Sequence, residues 1–114
     1  MKIIEHDISL AELKQMSEKM FGRLVKIVVD IDKGIMAVDA GMHADEEEYL
    51  LEQGSEQEHL WGINLYPDKW PQPNWIEFDS IINIRPSFGN KTRSVDNPAI
   101  QEKIINIVTK MVKT

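Results

Sequence analysis

The stretch LVKIVVDIDKGIMAVDA, Leu24 to Ala40, decides the fold. Two runs rich in β-branched residues flank Asp32-Lys33-Gly34, and the glycine can take the left-handed conformation that a short turn needs. Successive strand side chains point to opposite faces, so Val25, Ile27, Val29 and Ile31 share one face. This is the pattern of a β-hairpin, and it makes the neighbouring strands antiparallel.

Upstream, Ser9 and Glu12 form a capping box, and Leu10, Leu13, Met16, Met20 and Phe21 recur at helical spacing until Gly22 stops the helix. KIIEHD at the start reads as a short edge strand. Downstream, HADEEEYLLEQGS predicts a second helix with Asp45 as N-cap, Glu48 completing a capping box, and Gly54 as the stop. Ser55 with Glu58 starts one further short turn. LWGINLY is a strand that sets Trp61, Ile63 and Leu65 on one side and Gly62, Asn64 and Tyr66 on the other. After the proline loop PDKWPQPN, the stretch WIEFDSIINIRP, Trp75 to Pro86, alternates as a partner strand. Ile76, Phe78, Ile82 and Ile84 then form an oily face, and Trp75, Glu77, Asp79, Asn83 and Arg85 a polar one. Asn97 caps a final amphipathic helix that has Pro98 in its first turn and carries Ile100, Ile104, Ile107, Val108 and Met111. The expected fold is α+β: a mainly antiparallel sheet of two hairpins with a short N-terminal edge strand, packed with three helices. Residues 1–114 form a single globular domain.

Composition narrows the function classes. The 114 residues are 42% hydrophobic and 28% charged, ordinary values for a chain that folds. The absence of cysteine removes disulfides, thiolate nucleophiles and sulfur-ligated metal sites. The apolar runs are too short to span a membrane and the N-terminus carries charges, so the chain reads as cytoplasmic, with no membrane partner. A net charge of −6 argues against nucleic acid, whose phosphates are met by Lys and Arg. The charge is uneven: from Asp39 to His59 there are eight acids and no Lys or Arg, whereas Ile81 to Val95 holds Arg85, Lys91 and Arg93 and no acid. Such asymmetry marks a partner surface or two faces that attract each other across the fold.

The polar face of the second hairpin is the candidate site. Asparagine is depleted in strands and glycine weakens them, yet Gly62, Asn64 and Asn83 all stand there. Departures from local rules concentrate at functional or strained positions. The blocks HADEEEYLLEQGSEQEHLWGINLYP, WIEFDSIINIRP and GNKTRSVDNP resemble those of a small uncharacterised family of bacterial and archaeal proteins, a domain of unknown function. The resemblance spans nearly the whole chain. It points to His43, Asp45, Gln57, Trp61, Asn64, Tyr66, Glu77, Asn83, Arg85 and Asn90, and implies no activity.

No Walker-type loop, H-E-x-x-H, G-x-S-x-G or dinucleotide fingerprint is present. The expectation is a binding module for a small anionic ligand or a partner's acidic group. It would use Asn64, Tyr66, Glu77, Asn83, Arg85, Asn90 and Arg93 with the loop at residues 86–96, Arg85 gripping the anion in bidentate fashion. The alternative is a cofactor-independent hydrolase or lyase in which His43 and Glu77 transfer a proton around a substrate held by Arg85. A second alternative is a structural homodimer without a ligand site. A metal held by His43 with neighbouring acids is disfavoured because helix capping accounts for those acids, so neither metal nor cofactor is expected.

Overall fold

Asp30 and Gly34 close the first hairpin. In the computed structural model, which describes residues 1–20 and 22–114, the Asp30 carboxylate accepts the backbone N–H groups of Asp32 and Lys33, each at 2.9 Å. Gly34 at φ +67° donates its own N–H to the Asp30 carbonyl at 2.9 Å. The strands so joined are β3 (Val25–Asp30) and β4 (Ile35–Val38). The elements before them are β1 (Lys2–Ile4), β2 (Ile8–Ser9) and α1 (Leu10–Glu18). After them come α2 (His43–Glu52), β5 (Leu60–Leu65), β6 (Ile76–Glu77), α3 (Pro98–Met111) and β7 (Val112–Lys113).

Strands β1-β4-β3-β5-β6 form one sheet in that order, and every neighbouring pair is antiparallel. The N-terminal segment is thus an edge strand, as its sequence suggests. A separate parallel pair, β2 with β7, ties the start of the chain to its end. The α+β expectation, with three helices on a mainly antiparallel sheet, holds.

Both sheet faces are covered, unequally. Val25, Ile27, Val29, Met36, Val38, Trp61, Ile63 and Leu65 pack under Leu13 and Met16 of α1 and Ile104, Val108 and Met111 of α3. Fully burying such a side chain contributes about 1.5–3 kcal/mol over leaving it in water, so this larger face dominates stability. On the other face Val28, Ala37 and Leu60 meet Leu50 of α2 and, from a later loop, Ile82. Helices α1 and α3 begin as their sequences predict: Ser9 accepts the Glu12 N–H at 3.0 Å, and Asn97 accepts that of Ala99 at 2.9 Å. Helix α1 ends at Glu18, ahead of the predicted stop at Gly22, and Phe21 lies outside the described residues.

Three expectations are corrected. Helix α2 starts at His43 with Met42 as its N-cap, so Asp45 and Glu46 sit in the first turn and no side chain caps the helix. Glu46 therefore faces inward and is fully buried. Trp75, assigned to the polar face, is buried in the α1/α3 core because a short helical turn at Pro73–Trp75 precedes the strand and breaks the alternation.

The third correction concerns the long alternating strand. Only Ile76–Glu77 pair with β5; the chain then bends and makes a short helical turn at Ile81–Asn83. Ile82 consequently crosses to the α2 face, while Ile84 is exposed. Two bonds mark the bend: the Ser80 hydroxyl accepts the Ile82 N–H at 3.3 Å, and the Ser80 N–H leaves the sheet to donate to the Arg93 carbonyl at 3.0 Å.

Candidate functional site

One of the asparagines that oppose strand propensity, Asn83, completes the sheet with its side chain. The Asn83 amide pairs with β5 as a backbone neighbour would: Oδ1 accepts the Gly62 N–H at 2.8 Å and Nδ2 donates to the Gly62 carbonyl at 3.0 Å. Nδ2 also donates to the Arg93 carbonyl at 2.9 Å. Gly62 has to be glycine for this approach, since a Cβ there would lie 2.5 Å from both Cβ and Oγ of Ser80. Asn90 does the equivalent for the loop, donating to the carbonyls of Asn83, Thr92 and Ser94 and accepting the Asp96 N–H. Asp96 closes the same loop by accepting from Thr92 and from the Lys91 N–H, and these bonds hold its carboxyl below the usual range.

Arg85 is likewise built into the fold. Its guanidinium is buried, donates to the carbonyls of Gln57 and Leu60, and lies 4.4 Å from the centre of the Trp61 ring. Burial pushes its pKa down, and the Glu47 charge offsets part of that. Arg85 makes no ion pair among the described residues. A guanidinium so engaged anchors the loop to the start of β5.

Asn64, Tyr66 and Glu77 form a second unit. Glu77 accepts from Asn64 Nδ2 at 2.8 Å and from the Tyr66 hydroxyl at 2.9 Å. Partial burial and then Glu77 itself raise the Tyr66 pKa. The row continues across the sheet, because Asn64 pairs with Glu77 on one side and with Lys26 on the other. Asn64 Oδ1 is buried with no partner.

His43 does not join Glu77. Its Nε2 lies 2.7 Å from the Ile63 carbonyl, which assigns the proton to Nε2 and leaves Nδ1 as a lone-pair acceptor. No hydrogen bond connects His43 to Glu77 among the described residues. Burial lowers the His43 pKa despite the Ile63 bond, and the positive charges of Lys26 and Arg93 act in the same direction. The imidazole is therefore neutral at pH 7.

Those two cations identify the opening that sequence reasoning missed. A cleft of about 220 Å³ lies between the first turn of α2 and the loop after β6. Lys26, His43 and Arg93 line it together with Ser80, Met42 and Ile81. Arg93 donates through Nε to Asp79 at 2.6 Å, which leaves its outer nitrogens unengaged. The Lys26 side chain makes no ion pair and no hydrogen bond among the described residues. Lys26 also lines a larger hollow that holds the Lys19–Asp39 pair, so it stands between the two openings; in another hollow Lys113 is paired with Asp7. The signal for Lys26 was present in LVKIVV, where a lone cation interrupts an apolar strand.

Close to Lys26 lies Glu46, buried beneath α2; neither carboxylate oxygen makes a hydrogen bond of normal geometry, and a looser contact with the Ala40 backbone offsets part of the burial. Loss of hydration raises its pKa to about 9, so it is a neutral acid at pH 7. The acid run hid this residue, since one inward glutamate among outward ones has no mark of its own. Among the described residues, the acids and histidines that could share one metal ion are Glu56, Glu58 and His59, on the surface and apart from His43. No helix is long and apolar enough to cross a membrane.

Comparison with curated proteins and with solved structures returns no match. A family model does match, over residues 2–111, and its description is "Protein of unknown function (DUF5674)". Because that match takes in nearly every element just described, from β1 to the end of α3, the chain belongs to this family.

Proposed function

We propose that this protein is a binding module that recognises an anionic group in the cleft between the first turn of α2 and the loop after β6. The observation that carries this reading is the convergence of Lys26 and Arg93 on one small cleft, with Lys26 unpaired, in a chain of net charge −6. An unpaired, partly buried ammonium beside a half-engaged guanidinium attracts an anion more strongly than exposed lysines do, because less water screens it. The uncapped start of α2 adds a favourable dipole, and the neutral His43 adds no charge of its own.

Relative to the sequence expectation, Arg93 stays in the site, Lys26 enters it, and Arg85, Asn83 and Asn90 become the frame that holds the loop. A proton-transfer enzyme built on His43, Glu77 and Arg85 is the weaker reading, since each of the three is engaged with a different partner.

The test is an NMR titration of the ¹⁵N-labelled protein with inorganic phosphate and, separately, with acetate. Saturating shifts at His43, Ser80 and Arg93 are expected, weakened by added chloride. Lys26→Gln and Arg93→Gln should each abolish them while leaving the rest of the spectrum in place. No shifts, or shifts indifferent to both substitutions, would remove the reading.

A further inference from the structure

The cleft is small for a free metabolite. Sites for small organic ligands usually enclose about 300–1,000 Å³ and cover most of the ligand. This one, at about 220 Å³, is open at the surface and has room for little more than one acidic head group. Its rim is also wrong for a bare ion. Met42 is 57% exposed and Ile81 68% exposed, one on each side of the opening, and an inorganic anion gains nothing from them. Ile84 at 42% and Phe88 at 55% are exposed further along the same acid-free segment, which also carries Lys91. Large apolar side chains left in water beside a charged pocket are the composition of a protein contact surface: an anchor with a polar group at its base and apolar contacts around it.

We infer that the cleft takes an acidic side chain of a partner polypeptide, with apolar residues next to that acid packing on Met42 and Ile81. The inference rests on the cleft being an anion site and adds what carries the anion. Charge complementarity supports a peptide segment: Lys26 and Arg93 answer one carboxylate, while the exposed side chains answer its neighbours. A second copy of this chain would also bring exposed acids beside an exposed apolar residue, as Asp45, Glu48 and Glu52 of α2 do beside Leu51. It is therefore one outcome of the test.

The experiment selects a displayed library of random twelve-residue peptides on the immobilised full chain, with the phosphate titration run in parallel on the same variants. Enrichment of Asp or Glu adjacent to Leu, Ile, Met or Phe is expected. A selected peptide should lose roughly tenfold or more in affinity with Lys26→Gln, and a comparable amount with Ile81→Ser. Ile81→Ser removes exposed apolar surface at the rim, so it should weaken binding of a selected peptide several-fold more than that of phosphate. If phosphate binds in the cleft but no acidic and apolar peptides are enriched, or if Ile81→Ser has no effect on a selected peptide, the inference fails and the anion site stands. If neither phosphate nor peptide responds to Lys26→Gln, both fail. Binding to vesicles of anionic phospholipid without peptide enrichment, or concentration-dependent self-association abolished by Ile81→Ser, would also overturn it, in favour of a membrane surface or a second copy.

Discussion

Replacing Glu46 by glutamine should flatten the dependence of stability on pH. The folded carboxyl, buried without a hydrogen bond of normal geometry, keeps its proton up to about pH 9, whereas in the unfolded chain it titrates near 4.5. Below 4.5 both states are protonated and the group costs nothing through ionisation. As pH rises from there to about 9, the unfolded chain releases a proton that the folded chain retains, and folding weakens by about 1.4 kcal/mol per pH unit. At pH 7 the accumulated loss is about 3 kcal/mol, a large part of the stability of a domain of this size. Glutamine cannot ionise, so Glu46→Gln removes that loss and leaves only an unpartnered amide, at about 1–3 kcal/mol. Urea unfolding of both proteins at pH 5, 6, 7 and 8 measures the difference, in which His43 and every other shared group cancel. The gap in favour of the variant should widen by about 4 kcal/mol between pH 5 and pH 8. Parallel curves would refute the reasoning, because they would mean that the carboxyl is hydrated or paired in the folded protein.

Further outcomes follow from the frame around the cleft. Asn83→Ala leaves the N–H and C=O of Gly62 and the Arg93 carbonyl without their partner, and should cost about 2–4 kcal/mol in urea unfolding. Gly62→Ala forces a methyl group against Ser80 and should cost about 1–3 kcal/mol, much of it recovered in the double variant with Ser80→Gly, as a double-mutant cycle would show. Arg85→Lys keeps the charge but loses the second carbonyl and the flat contact with Trp61, so thermal unfolding should report a loss of about 1–2 kcal/mol. Affinity for phosphate should change little in that variant, which separates the frame from the site.

Where local chemistry and tertiary packing agree, the fold was legible in the chain. Gly34 after a β-branched run, Ser9 with Glu12, and Asn97 before Pro98 each specify a turn or a cap through groups a few residues apart, and all three stand where expected. WIEFDSIINIRP was misread because alternation records only which residues are apolar. What breaks that strand is Asn83 reaching back to Gly62 across 21 positions, and a pattern of period two holds no trace of it. Asparagines and a glycine in strand context do mark a departure from rule. Their cause is different from the one inferred: the amides replace missing backbone partners, which is a structural use of polarity.

The same logic explains why the site lies beside the expected row. A buried guanidinium that donates to two carbonyls and rests on an indole is fixed by neutral partners, so it is held too firmly, and too deep, to grip an external anion. Lys26 is the opposite case. It belongs to the rigid central strand β3, and its one candidate counter-ion beneath α2, Glu46, is neutral at pH 7 because burial keeps it protonated. The carboxyl that could have neutralised Lys26 thus leaves the ammonium charge available at the cleft. If that is how the cation is kept free, anion affinity should fall as pH rises through about 9, where Glu46 ionises and the lysine gains an internal partner. In Glu46→Gln that fall should vanish. Phosphate titrations of both proteins between pH 7 and 10 decide it: the same profile in each would show that Glu46 and Lys26 are not coupled.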